Sequence, residues 1–321
     1  MTIEEFLEEW NSPSPTVLVH TSGSTGEPKP MLVEKRRMEA SARITCRFLG
    51  LKPGNTALLC LPLDFIAGKM MVVRALTCGL KLQSIEPTGC PVWQEAPDFA
   101  AMVPLQVFNL LQTEEGRQRA MQIRHLIIGG GPIDDSLATQ LAAFPNNVWS
   151  TYGMTETLSH IALRRLNGPE ATEWYTPLDG VDVSLSADGC LVVNAPAVCP
   201  HPLTTNDIAQ FKNGTFRILG RKDNVICSGG IKIQIEEVER MLHPHLHVPF
   251  IITKAPDKKL GEQVVLLAED ENVNSDSLLS LCRRVLPRYY VPRQVVGVSH
   301  IPLTATGKPA RKEAERIAQS H

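Results

Sequence analysis

The sequence predicts an α/β protein: a large N-terminal domain of α/β sheet layers with a β-rich subdomain, followed by a small α+β C-terminal domain. Three observations predict it. Apolar, strand-like runs alternate with helix-like segments through the first two thirds of the chain. Twice a strand candidate runs straight into a glycine-rich turn, the rhythm of a sheet that takes its ligand at strand C-terminal ends. Near residue 180 the pattern changes to short strands separated by Asp188-Gly189 and Asn213-Gly214, both hairpin signals. A length of 321 residues also suggests roughly two domains rather than one core.

Taken in order, residues 16–20 read as a strand leading into 21–29, and 34–49 as a helix that stops before Gly50. Residues 57–62 form a short apolar strand and 69–78 a helix ended by Gly79. The strand 125–128 enters Gly129-Gly130-Gly131, after which Asp134 or Asp135 is positioned to cap a helix reaching Phe144. Strands follow at 181–185, 191–194 and 216–219. Beyond Gly220-Arg221-Lys222-Asp223 comes a helix from Glu236, strands from Phe250 and Gln263, and a helix from Ser277. The expected boundary is Asp223, giving domains 1–222 and 223–321. No internal repeat or low-complexity tract is present.

Composition excludes several classes. Hydrophobic residues at 43% and charged residues at 21% describe an ordinary globular chain, and a formal charge of −2 gives no reason to expect nucleic-acid binding. Apolar runs such as 70–76 and 264–268 are too short to span a bilayer. The N-terminus is acidic and unlike a signal peptide, so the expected location is the cytoplasm. The eight cysteines form no C-x-x-C pair, and most read as small buried hydrophobes. His243, His245 and His247 flank Pro244 without a nearby cysteine or carboxylate, which favours a polar helix exit over a zinc site.

The most chemically suggestive segment is Thr21-Ser22-Gly23-Ser24-Thr25-Gly26, followed by Lys29. Gly23 and Gly26 let the backbone approach a ligand closely. The hydroxyls and main-chain N–H groups then donate to phosphate oxygens, and Lys29 adds a mobile positive charge. The order is not that of a Walker A loop, and taken alone the segment has a flexible surface turn as its less favoured alternative.

Six further segments accompany it: Ile128-Gly129-Gly130-Gly131-Pro132, the run 150–157 containing Tyr152-Gly153-Met154-Thr155-Glu156, Thr205-Asn206-Asp207, Gly220-Arg221-Lys222-Asp223, Ser228-Gly229-Gly230, and the run 301–308 ending Thr306-Gly307-Lys308. With these in this order, the chain resembles the adenylate-forming superfamily of acyl- and aryl-CoA synthetases, peptide-synthetase adenylation domains and firefly-type luciferases. The resemblance implies ATP, Mg²⁺ and CoA as cofactors and co-substrates. It implies that Tyr152 packs on adenine beside Gly129, Gly130, Gly131 and Gly153, that Thr155 meets the α-phosphate, and that Glu156 holds Mg²⁺, a hard ion suited to carboxylate oxygen. Asp207 would accept from the ribose hydroxyls, with Asn206 standing where the family has glycine, and Arg221 would touch ribose or phosphate. Gly229 and Gly230 would border the CoA channel; the alternative is a simple β-turn. Asp223 would be the hinge of a mobile C-terminal lid that carries the catalytic Lys308.

The segment 61–75, with Lys69 and Arg74, is similar to that of o-succinylbenzoate–CoA ligases of menaquinone biosynthesis, although Asp64-Phe65 stands where most relatives carry an aromatic followed by histidine. Either cation suits the second carboxylate of a dicarboxylic acid, Lys69 being favoured; the alternative is that both line a solvated helix face. The resemblance implies two half-reactions, acyl-adenylate formation and then thioester formation, by a shortened member lacking an N-terminal subdomain. Partners are expected to be the acid, ATP and CoA, with no nucleic acid and no membrane, in a monomer or homodimer. Another acyl- or aryl-CoA ligase, a carrier-protein-loading enzyme, and a non-catalytic nucleotide-binding regulator remain open.

Overall fold

The computed structural model describes residues 1–20, 30–133, 135–303 and 309–320. The expectations for 21–29, Asp134 and 304–308, Lys29 and Lys308 among them, therefore lie outside the described residues. The chain clusters into two compact units: Met1–Ser184 with Val192–Thr204 and Phe211–Arg217, and Leu185–Leu191 with Thr205–Gln210 and Ile218–His321.

The first unit begins with helix α1 (Ile3–Asn11), which sequence reading did not anticipate. Its start is a capping box: Thr2 Oγ1 accepts from the Glu5 N–H, and the Glu5 carboxylate accepts from the Thr2 N–H. Strands β1 (Thr16–His20) and β2 (Pro30–Glu34) pair antiparallel from Thr16↔Glu34 to His20↔Pro30. Helix α2 (Lys35–Phe48) follows as expected, and strand β3 (Thr56–Leu59) ends three residues before the expected 62. Helix α3 (Ile66–Cys78) begins three residues before the expected start, because Phe65 is still extended while Ile66 is already helical.

The remaining elements of this part are β4 (Lys81–Ser84), β5 (Phe99–Met102), α4 (Pro104–Leu110), α5 (Glu114–Gln122), β6 (His125–Ile128), α6 (Asp135–Ala142), β7 (Asn147–Gly153), β8 (His160–Arg165) and β9 (Thr176–Pro177). They build a seven-stranded sheet in the order β4-β3-β5-β6-β7-β8-β9. Pairs from β4 through β7 are parallel, and β7–β8 and β8–β9 are antiparallel. Parallel strands are covered on both faces, which is why β5 and β6 are buried at every residue. The core joins Leu58, Met102, Leu126 and Ile128 of the strands to Leu110, Ile123 and Leu141 from the helical side. α6 ends at Ala142, short of the expected Phe144.

Strands β10 (Asp182–Leu185), β11 (Cys190–Asn194), β12 (Leu203–Lys212) and β13 (Thr215–Arg221) make a four-stranded sheet in that order. Both hairpin turns fall where Asp188-Gly189 and Asn213-Gly214 place them.

The C-terminal part of the second unit contains β14 (Val225–Ser228), β15 (Ile231–Gln234), α7 (Ile235–Leu242), β16 (Phe250–Asp257), β17 (Gly261–Ala268), α8 (Ser275–Val285), β18 (Gln294–Gly297) and α9 (Arg311–Gln319). Its sheet runs β15-β14-β17-β16, with β18 parallel to β17. The two-residue period of strands sorts the core: Ile252, Val264 and Leu266 face α7 and α8 through Val238, Leu242 and Cys282. Ile251, Val265 and Leu267 face Ala314 and Ala318 of α9. Arg311 fastens this layer by a two-pronged contact with Glu239, its two terminal nitrogens 2.5 and 2.7 Å from the carboxylate oxygens. No helix among the described residues is long and apolar enough to cross a membrane.

Candidate active site

β6 and β7 run parallel with Ile128 opposite Ser150, so the 129–131 turn lies at the same end of the sheet as the last residues of β7 and the 154–157 segment that follows them. The two are in close apposition: a Cβ on Gly129 would stand 2.2 Å from Thr151 Oγ1. At Gly153 the neighbours are main chain, which has less room to yield: its Cβ would lie 2.4 Å from both the Ser159 carbonyl oxygen and His160 Cα. Tyr152 is half-buried, edge-on to Phe216 at 5.3 Å and 5.9 Å from Tyr175, whose hydroxyl meets Ser150 Oγ at 2.9 Å. Thr155 is buried in a single 3₁₀ turn, whereas Glu156 beside it is exposed.

Just past this turn the backbone is strained. Leu158 is 2% exposed and has φ +65° and ψ −35°, and the Ser159 N–H donates to the Thr157 carbonyl at 2.7 Å. This is a γ-turn of the disfavoured hand, a conformation worth about 1–3 kcal/mol of strain. Thr157 Oγ1 holds it by accepting from the Met154 N–H and reaching the Ser159 carbonyl at 2.8 Å.

The strain turns Ser159 toward α3. Arg74 Nη2 donates to Ser159 Oγ at 2.5 Å, Ser159 Oγ meets His160 Nδ1 at 3.2 Å, and His160 Nε2 meets Thr45 Oγ1 at 3.0 Å. Thr45 donates its proton to the Ser41 carbonyl. The directions follow: His160 carries its proton on Nε2, accepts from Ser159 at Nδ1, and Ser159 in turn accepts from Arg74. Burial and the Arg74 charge hold the His160 ring well below its usual range, so it is neutral. Arg74 is 2% exposed, and burial pushes its guanidinium down to about 10. It stays charged at neutral pH. No carboxylate of the described residues pairs with it, and its Nε has no hydrogen-bond partner there. Ser159 and His160 were not anticipated, since nothing in the local sequence marks them.

Lys69 is also buried, but it is engaged: Nζ donates to the Leu18 carbonyl at 2.8 Å and lies 3.5 Å from Glu9. The alternative in which Lys69 and Arg74 line a solvated face is overturned, because α3 is buried along 68–75 between its own sheet and α2.

In the second unit, two of the sequence motifs meet. Arg221 lies between Asp207 and Asp223, with nitrogen–oxygen distances of 3.3 and 3.2 Å, and Asn206 Nδ2 donates to Asp223 Oδ2 at 3.2 Å. Gly229 and Gly230 form the two-residue turn between β14 and β15, with φ of +58° and +83°. That turn by itself calls for glycine at both positions.

A Mg²⁺ held beside ATP needs few protein ligands, since substrate phosphates and water supply the rest. The exposed Glu156 carboxylate fits that role, and no group of three or more His, Cys, Asp or Glu residues among the described residues forms a metal cage. His243 packs on Phe250 at the end of α7, as a helix exit would.

The profile of the AMP-binding enzyme family matches residues 4–194. The chain belongs to this family, within the adenylate-forming superfamily. Its relatives include the 2-succinylbenzoate–CoA ligase of Bacillus cereus, 23% identical in an alignment of 346 positions that covers 97% of this chain and 72% of the relative. Among solved structures, the acyl-CoA synthetase (AMP-forming)/AMP-acid ligase II-like protein of Dyadobacter fermentans is 34% identical, with a TM-score of 0.66 over 96% of this chain and 91% of that one. The o-succinylbenzoate Coenzyme A synthetase (MenE) of Bacillus subtilis, solved with ATP and magnesium ion, has the same fold: TM-score 0.75 at 23% identity, over 92% of this chain and 69% of that one.

Proposed function

We propose that this protein is an AMP-forming acid–CoA ligase that adenylates an aromatic dicarboxylic acid, o-succinylbenzoate, and passes the acyl group to CoA on the route to menaquinone. The observation that carries the acid's identity is Arg74. It is a buried cation without a carboxylate partner among the described residues, bonded to the serine three positions past Glu156. A dicarboxylate presents one carboxylate for activation and a second that satisfies this charge. Lys69, favoured from sequence, already has Glu9 as its counter-ion, which moves the preference to Arg74. The ligases named for 2-succinylbenzoate among the relatives agree with this reading.

In the first half-reaction the acid's carboxylate oxygen forms a bond to the α-phosphorus of ATP, and pyrophosphate leaves. In the second, the CoA thiolate bonds to the acyl carbon and AMP leaves with the electron pair of the anhydride C–O bond. The protein's task in the first step is to align two anions and offset their repulsion. Residues 21–26 and Lys29 are proposed to hold the β- and γ-phosphates, Thr155 the α-phosphate, and Tyr152 and the 129–131 turn the adenine. Asp207 and Arg221 are proposed to hold the ribose. Glu156 would hold Mg²⁺, which when bound neutralises phosphate charge. Lys308 is proposed to bridge carboxylate and α-phosphate, with Asp223 as the hinge that withdraws it and Gly229-Gly230 beside the pantetheine path.

The proposal places the enzyme in the cytoplasm, as a monomer or homodimer acting on free small molecules without a nucleic-acid partner. AMP, pyrophosphate and thioester are measured for o-succinylbenzoate, benzoates and fatty acids, with and without CoA. Thioester formed fastest from o-succinylbenzoate supports the reading. ADP and phosphate as products, or turnover only with a carrier protein, overturn it.

A further inference from the structure

We propose that Lys69 and Glu9 form a clamp that fixes the β1–β2 hairpin, making Lys69 a positioning residue for the nucleotide phosphates rather than a ligand of the acid. The proposal rests on the reading of 21–29, the segment joining the two strands, as the phosphate loop.

Leu18 is the middle residue of β1 and stands opposite Leu32 of β2. Both of its main-chain groups are taken from outside the hairpin. Its N–H donates to Glu9 Oε1 at 2.9 Å, and its carbonyl accepts from Lys69 Nζ at 2.8 Å. Glu9 Oε2 and Lys69 Nζ close the arrangement at 3.5 Å. In an antiparallel pair, each residue points its N–H and C=O together, alternately toward the partner strand and away from it. Leu18 therefore points away from β2, and the ion pair supplies the two bonds that a third strand would make. Alternation then puts Thr16 and His20 on the outward side as well, leaving Val17 and Val19 to carry the ladder. It also explains Pro30: opposite His20, it stands where no N–H is needed.

A two-stranded hairpin is marginal by itself, so an outside anchor has a large share in setting where its ends lie. Here those ends, His20 and Pro30, flank the loop. The anchor is well built. The Lys69 side chain is 4% exposed, its Nζ lies 5.5 Å from the centre of the buried Phe6 ring, and Glu9 shares α1 with Phe6. The foot of the hairpin is tied separately, through Lys35 Nζ to the Ser12 carbonyl at 2.8 Å and the Lys35 N–H to the Pro15 carbonyl at 2.9 Å. The Lys69–Glu9 clamp thus acts on the middle of β1, closer to the loop.

The test uses the full chain and Lys69→Met, Lys69→Arg and Glu9→Ala variants. MgATP affinity is measured by calorimetry, KM for the acid and for CoA by turnover, and the Leu18 amide by hydrogen exchange. Loss of a charge-assisted bond predicts Leu18 exchange faster by about tenfold, and MgATP binding weaker by about tenfold, in both Lys69→Met and Glu9→Ala. KM for the acid stays within about twofold, and Lys69→Arg recovers most of the loss. Glu9 is the decisive arm, because an acidic side chain has no part in binding an anionic acid. A raised KM for the acid in Lys69→Met alone, with Leu18 exchange and MgATP affinity unchanged, overturns the clamp. Equal losses for ATP, acid and CoA overturn it too. Should the unmodified protein bind no MgATP, the phosphate-loop reading fails, and Leu18 exchange alone decides whether the clamp exists.

Discussion

Arg221 bonds Asp207 across 14 positions of sequence, Nη1 to Oδ1 at 3.3 Å, while its other terminal nitrogen reaches Asp223. This cation therefore joins the residue proposed for ribose to the one proposed as hinge. The pairs are partly exposed, and such pairs are worth about 0–1 kcal/mol to the fold. Arg221→Ala is expected to leave the melting temperature within a few degrees and to raise KM for ATP by about tenfold. A large drop in melting temperature with unchanged KM would assign the arginine to stability instead.

On the proposed reading, Arg74 separates acids by their second carboxylate. Arg74→Met is expected to raise KM for o-succinylbenzoate by about ten- to a hundredfold and to leave a monocarboxylic benzoate unaffected. Arg74→Lys falls between, since an ammonium lacks the planar fork. Parallel KM changes for both acids would remove Arg74 from the acid site.

Much of this was legible in the sequence, for identifiable reasons. Residues 21–29, the 150–157 run and Thr205-Asn206-Asp207 are contiguous motifs, so each part of the family resemblance rests on a few adjacent residues. The strand 125–128 and the turns at Asp188-Gly189 and Asn213-Gly214 fell in place because glycine and apolar runs are local signals. What was not legible depends on partners far apart in the chain. Ser159 and His160 matter only because the Leu158 turn brings them to Arg74, which is 85 positions from Ser159. Lys69 read as an acid ligand because Glu9 and Leu18, its partners, lie 60 and 51 positions before it. The helix α1 was missed because its signals, Thr2 and Glu5, read equally well as an acidic terminus.

His125 predicts a pH dependence of stability. Both ring nitrogens are buried without a partner among the described residues, and burial, reinforced by Arg124 and Arg165, pushes the ring down to about 4 from its ordinary 6.5. Between those values the unfolded chain binds the proton and the folded one does not. Stability is thus complete above pH 6.5 and falls as pH drops toward 4, by up to about 3 kcal/mol. Melting temperature against pH should be flatter in His125→Leu than in the unmodified protein. Superimposable profiles would contradict this.

Gly153→Ala should unfold the site locally. The added carbon meets main-chain atoms of Ser159 and His160, which have no rotamer to yield, so the expected cost is about 2–3 kcal/mol. Chemical denaturation measures it. A change under about 0.5 kcal/mol would mean that β7 and β8 part more easily than their packing indicates.

Lys308→Ala separates the half-reactions. Acyl-adenylate formation is expected to fall by at least about a hundredfold, and thioester formation from supplied acyl-AMP by less than about threefold. Equal losses would contradict a lysine used in one step only.

The central claim is that this chain activates a carboxylic acid by transferring AMP to it. Incorporation of radiolabelled pyrophosphate into ATP, with o-succinylbenzoate present and CoA omitted, tests that step alone. The account predicts exchange that requires the acid and Mg²⁺ and is lost in Glu156→Gln. Exchange that ignores the acid, or none at all in a folded protein that still binds ATP, would contradict it.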